Sequence, residues 1–153
     1  MLRRGLLICL CLLPALAQAN PPVSKLANED LSPSQFDLPD LESELRRALG
    51  RPRSTTEDQN GRTLNYAGLN VWTNGSTILG ATVTSRARST RRGLRVTDEE
   101  NKVLELYGPP TSTYTNLNNR TRDLFYQVER TEALIITIKS ARVHRIYAGA
   151  IYD

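Results

Sequence analysis

The groups in this chain that could do chemistry are few and set apart from one another. Its one histidine, His144, lies in RVHRIYAGA at 142–150. Alternation with its neighbours places it on a strand, where it could take a proton, orient a ligand or occupy a polar rim. No cysteine or carboxylate accompanies it at a metal-ligand spacing, which leaves the polar rim as the expected role. Ser54, Ser76, Ser85, Ser89, Ser112 and Ser140 include no nucleophile elbow. Asp98, Glu99 and Glu100 are adjacent, so on a helix they point in different directions. They suit the positive end of a helix better than an acid/base pair. Glu129 and Glu132 read as a hydrophilic strand connection. GRPRST at 50–55 and GPPTST at 108–113 lack the lysine and glycine spacing of a phosphate loop, and their prolines remove N–H donors. The expected catalytic, metal and cofactor sets are all empty.

Charge offers more. SRARSTRRGLR at 85–95 carries Arg86, Arg88, Arg91, Arg92 and Arg95 with no acid between them. Guanidinium groups at that density can bind carboxylates, phosphates or anionic envelope material, or pair within the molecule. On the first reading, Arg91→Ala with Arg92→Ala weakens binding and spares folding. Trp72 is a second partner-binding candidate, because an indole at a sheet rim combines apolar area with a polar handle. Tyr66, Tyr107, Tyr114, Tyr126, Tyr147 and Tyr152 divide between core and rim, and Phe125 is expected in the core.

The N-terminus has the marks of an export signal. Arg3 and Arg4 precede an apolar run from Leu6 to Leu13, and Ala17 and Ala19 mark a cut after residue 19. Cys9 and Cys11 would leave with that segment, so the exported chain has neither disulfide nor thiol nucleophile. Loss of the two arginines takes Lys plus Arg from 20 to 18 against 16 Asp plus Glu. A balance so near neutrality argues against nucleic acid as partner. No second apolar run is long enough to span a membrane. Residues 20–36 hold three prolines and little apolar density, and are expected to be a flexible entrance.

Two stretches must position whatever the chain presents. In DLPDLESELRRALG at 37–50, Asp37 is a turn or cap signal, Pro39 lies close to a helix start, and Leu38, Leu41, Leu45, Ala48 and Leu49 form an apolar stripe. Gly50 supplies the exit and Pro52 blocks continuation. In VTDEENKVLELYG at 96–108, Thr97 and Glu100 have capping-box spacing, Val96, Val103, Leu106 and Tyr107 face a sheet, and Gly108 ends the run. Strands follow each helix: TLNY at 63–66, LNVWT at 69–73 and STILGATVTS after Asn74-Gly75, then RDLFYQV at 122–128, ALIITIK at 133–139 and RVHRIYAGA at 142–150. Glu129-Arg130 and Ser140-Ala141 are the breaks in the second set.

Gly50, Pro52, Ser54 and Thr55 match Gly108, Pro110, Ser112 and Thr113 at equal spacing. A two-residue adjustment then matches Leu64 and Tyr66 with Leu124 and Tyr126. The expected fold is α+β: two tandem helix-strand-strand-strand units with antiparallel sheet, packed as one compact domain. Its boundaries are 1–19 signal, 20–36 entrance, 37–85 first unit, 86–95 connector and 96–153 second unit.

LRRALGRP at 45–52 and VLELYGPP at 103–110, each followed by short strands, resemble the helix endings of small exported proteins related to the outer-membrane assembly component SmpA/OmlA. The tandem arrangement also resembles the β-lactamase inhibitory protein architecture, and RGLRVTDEENKVLELYGPP at 92–110 is similar to a segment of uncharacterised secreted proteins. The resemblance covers about residues 37–148 and implies binding or envelope assembly rather than catalysis. The exported chain lacks the lipid-anchor cysteine of the first group and the cysteine pairs of the second. The expectation is therefore a noncatalytic protein, periplasmic or secreted, that engages a protein or an anionic envelope component through a sheet face and the basic connector. Enzyme inhibition is one form this could take. A purely structural envelope protein and an unrecognised secreted hydrolase are the alternatives, and oligomeric state stays open.

Overall fold

Apolar spacing and glycine exits produce two helices of eight residues, α1 (Glu42–Leu49) and α2 (Glu100–Tyr107). At the exits the Gly50 N–H donates to Arg46 O and the Gly108 N–H to Leu104 O, both at 2.9 Å. Positive φ at both glycines turns the chain sharply toward the sheet. The computed structural model describes residues 26–127 and 131–151; the signal segment, Glu129-Arg130 and Tyr152 lie outside them.

The strands are β1 (Ser54–Asp58), β2 (Gly61–Tyr66), β3 (Leu69–Asn74) and β4 (Thr77–Val83) after α1, then β5 (Ser112–Asn116), β6 (Thr121–Tyr126), β7 (Glu132–Lys139) and β8 (Arg142–Ala150) after α2. All pair antiparallel in one eight-stranded sheet of order β1-β2-β3-β4-β8-β7-β6-β5. The two units thus meet along β4 and β8. The tandem α+β architecture is as the repeat implies, and each unit carries one strand more than its hydrophobic pattern discloses. The additions, β1 and β5, are the two sheet edges: STTED and STYTN bury almost nothing, so no apolar alternation marks them. They begin at the matched serines, Ser54 and Ser112.

The repeat extends to individual bonds. Tyr66 Oη donates to Gly50 O at 3.3 Å, and Tyr126 Oη to Gly108 O at 2.9 Å. Arg62 pairs with Glu42 at 3.1 Å, and Arg122 pairs with Glu100. The Ile78 N–H donates to Asp40 O and the Val143 N–H to Asp98 O, each at 2.8 Å. A bulge falls at the same place in both halves of the sheet. Trp72 faces Gly80 but Thr73 faces Ile78, leaving Leu79 extra; Thr137 faces Arg145 but Ile138 faces Val143, leaving His144 extra.

Arg62, Leu64 and Tyr66, with Arg122, Leu124 and Tyr126, share one side of their strands, so both helices cover the same face. Leu45, Val103 and Tyr107 complete that core with Val71, Leu134, Ile136 and Ile146. Burial pushes the Tyr107 phenol up to about 12 despite a hydrogen bond to Thr90, and also raises Tyr126 and, less deeply buried, Tyr66. These phenols are protonated at neutral pH.

Four local expectations need correction. Of the turn and cap roles open to Asp37 the structure takes the turn, and Pro39 does not open α1. Asp37 closes a 3-10 turn at Pro33–Phe36 in the left-handed region, and the helix begins once Asp40 and Leu41 have bonded to the start of β4. Thr97 does not cap α2. Its φ is +78° and its N–H donates to Val143 O at 2.7 Å, so Glu99 is the boundary residue and Glu100 is drawn to Arg122 instead. The β3–β4 turn is Gly75-Ser76, one residue beyond Asn74-Gly75, since Asn74 pairs with Thr77. The fourth concerns residues 26–36, which are not a flexible entrance. They form 3-10 turns at Asn28–Asp30 and Pro33–Phe36, and bury Leu31 and Phe36 in the core over β4 and β8. Two well-separated apolar anchors suffice here because charged partners elsewhere in the chain complete the docking.

The Glu42 carboxyl is a junction for its unit. Burial would raise it, but hydrogen bonds from Arg46 and Thr73 and the Arg62 and Arg46 charges hold it below its usual 4.5. Asp98 behaves alike: burial opposes ionisation, and Lys102 with the Arg95 N–H outweighs it, holding the carboxyl below 3.8. Stabilisation from both is present above those values and is lost as pH falls through the lower folded ones. Urea titrations should show stability falling as pH drops from 5 to about 3. Glu42→Gln should cost about 1–2 kcal/mol at pH 7 and flatten that fall, the partner arginines being part-exposed and solvent-screened.

Candidate functional site

The arginine connector is woven into the helix layer. Thr90 and Leu94 are buried, with Thr90 Oγ1 accepting from Tyr107 Oη at 2.8 Å. Arg92 Nε donates to Asp30 Oδ1 at 2.9 Å, its Nη2 lies 2.6 Å from Asp30 Oδ2, and its Nη1 donates to Leu106 O at 2.7 Å. The same guanidinium stands 5.2 Å from the Tyr107 ring centre. Arg91 reaches Glu29 at 2.7 Å and Arg88 reaches Phe36 O at 3.3 Å. Three of the five cations therefore fasten the 3-10 segment to the connector. Arg86 and Arg95 are exposed beside Asp98, whose carboxyl accepts from the Arg95 N–H. The Arg92 guanidinium neutralises a buried carboxylate, so its removal is expected to affect folding as well as binding.

Among the described residues, no helix covers the opposite face of the sheet. Register sets its side chains in rows across strands. One row runs Asn70, Thr82, Tyr147, Ile135 and Phe125. Phe125 is therefore not part of the core: Leu124 and Tyr126 on either side take the buried face, and Phe125 projects to the other one, half-buried. Phe125, Ile135, Tyr147 and Ile151 line a shallow depression of about 320 Å³. Trp72 lies on the same open face in the next row, half-buried, with Nε1 3.0 Å from where a Cβ on Gly61 would stand. It is the one candidate from the sequence that the fold places on this surface.

The row on the other side is polar: Asp123, Thr137 and Arg145. Thr137 Oγ1 donates to Asp123, and Arg145 Nε donates to Thr137 Oγ1 at 2.8 Å. His144, the bulge residue, is exposed and lines a neighbouring hollow that has no serine or carboxylate in its wall. Among the described residues no three of His, Cys, Asp and Glu converge as metal ligands. The arrangement offers a broad apolar strip edged by fixed charge and hydrogen-bonding groups, which is suited to recognition. The alternation in RDLFYQV could have disclosed Phe125; nothing local could have aligned it with Ile135 and Tyr147.

No protein-family model matches this sequence, and no curated protein is similar to it in sequence. Solved structures share the fold. An extracellular protein containing a SCP domain from Bacillus anthracis str. Ames superposes with a TM-score of 0.57 at 10% identity over 90% of this chain. This chain spans 50% of that protein's length. A DUF4309 family protein, YjgB, from Bacillus subtilis subsp. subtilis str. 168 gives a TM-score of 0.51 at 16% identity, covering 80% of this chain and 95% of its own. At these identities the likeness is one of fold. Among the described residues, no helix is long and apolar enough to cross a membrane.

Proposed function

We propose that this chain is a noncatalytic exported accessory protein that binds a protein partner through the helix-free face of its sheet. The observation that carries this reading is the row of Phe125, Ile135 and Tyr147, flanked by Trp72, on the side of the sheet opposite the buried core. Aromatic groups on a rigid sheet lose little entropy on binding and supply most of the energy of such interfaces. Export is supported by the basic, apolar and small-residue order of residues 1–19 and by the extracellular character of the SCP-domain protein that shares the fold. The connector belongs to the helix layer, so it does not face a partner seated on the sheet. Enzyme inhibition is the form this role takes if the partner's active site is what the strip covers.

The experiment is affinity capture from the exported compartment, followed by direct binding to each recovered protein. Phe125→Ala and Trp72→Ala are expected to weaken binding at least tenfold each, about 1.4 kcal/mol or more. Leu104→Ala, exposed on the helix side, should bind as the parent does. Parental affinity in folded sheet-face variants would overturn the reading.

A further inference from the structure

We propose that the hollow at the His144 bulge is a binding site for a phosphate monoester. It measures about 400 Å³, and Lys139, His144 and Arg145 converge on it with Asn118, Asn119 and Thr121. Thr137 completes the wall, which among the described residues includes no carboxylate. Arg145 is held rather than free: its Nε donates to Thr137 Oγ1, whose own proton goes to Asp123. That fixes the plane of the guanidinium and leaves both terminal nitrogens without an ion pair among the described residues. Asp123 sits one hydroxyl away, on the far side of Thr137, where it orients the cation without occupying it.

The internal repeat shows that the scaffold does not require these charges. By register, Lys139, His144 and Arg145 correspond to Asn74, Leu79 and Gly80 of the first unit, and Thr137 to Trp72. The same bulge, the same hairpin and the same pairing are built there from uncharged residues. The amides recur, since the loop matching Asn118-Asn119 in the first unit holds Gln59-Asn60, but the three basic groups belong to one copy alone and are unexplained by folding.

Their distribution selects the ligand class. A single carboxylate would be satisfied by the Arg145 fork and leave Lys139, His144 and the amides idle. A tetrahedral dianion offers oxygens in several directions and takes charge-assisted bonds from all of them. Such a group comes either on a soluble phosphomonoester or on a lipid headgroup. The hollow adjoins the proposed recognition strip and shares Thr137 and Arg145 with the depression there, but Lys139 and His144 belong to the hollow and Phe125, Ile135 and Tyr147 to the strip, so its failure would leave that reading standing.

Because the chain has one histidine, its ring resonances report on this site alone. The untagged protein is titrated with inorganic phosphate and with glycerol phosphate at constant pH and ionic strength. In a parallel arm it is sedimented with vesicles of phosphatidic acid or of phosphatidylcholine. The expected result is a saturable shift of the His144 signals. Lys139→Ala with Arg145→Ala should raise the apparent Kd about tenfold or more without changing the melting temperature. Should that pair not fold, Lys139→Glu at an exposed position must give the same loss. Binding to soluble phosphate alone assigns a soluble ligand, and co-sedimentation with phosphatidic acid that the same substitutions abolish assigns a headgroup; either upholds the site. Shifts that chloride reproduces, or that the substitutions leave unchanged, overturn it.

Discussion

Gly149→Ala is expected to destabilise the whole protein by roughly 3 kcal/mol or more, enough to leave much of it unfolded at physiological temperature. Gly149 pairs with Gly80 in the β4–β8 pairing that joins the two units. A Cβ there would lie 2.3 Å from Leu79 O and 2.4 Å from Gly80 Cα, and the residue's φ of +140° is one that L side chains rarely adopt. Both obstacles are backbone atoms, so no rotamer change relieves them. Gly75→Ala separates the two causes: its φ is also positive, at +66°, but the space around it is open. It should cost only about 1 kcal/mol. Urea melts monitored by the Trp72 fluorescence and by far-ultraviolet dichroism should lose both signals together in Gly149→Ala. Equal stability of the two variants would show that β4 and β8 are not packed as closely as described.

The second large effect is expected at the arginine run. Arg92→Ala removes the counter-charge of Asp30, whose side chain is 6% exposed, along with a hydrogen bond to Leu106 O and the contact over Tyr107. An unpaired buried carboxylate makes such a change cost about 3–5 kcal/mol. Arg91→Ala, whose ion pair is solvent-exposed on both sides, should cost under about 1 kcal/mol. Replacing Arg92 by Met together with Asp30 by Leu should recover much of the loss, because no charge is then stranded. Hydrogen exchange gives the local readout: amides of residues 28–36 should lose protection first in Arg92→Ala. If that variant retains parental stability and protection, the connector is not the fastening of the N-terminal segment.

What these two sites have in common is invisibility in a linear reading. Gly149 stands in AGA near the end of a strand, with nothing nearby to say that it abuts another glycine 69 residues away. Arg92 and Asp30 are separated by 62 residues. Five arginines without an acid among them read as a free cationic surface, since intramolecular partners can be seen only when the chain is folded. Thr97 has the spacing of a cap, but Val143 claims its N–H, and a long-range strand bond overrides the local preference. Phe125 has the composition of a core residue, yet the parity of its strand sends it outward.

The sequence by itself determined the tandem order, both helix exits, the six inner strands and the matched residues of the repeat. Each of these rests on neighbours within a few residues: apolar period, glycine at a turn, β-branched runs. Only the tertiary structure decided how β4 meets β8, which arginines are spoken for, and which aromatic groups line up on the open face. Those outcomes depend on register between distant strands and on charges brought together by burial, quantities that no short window of a chain contains.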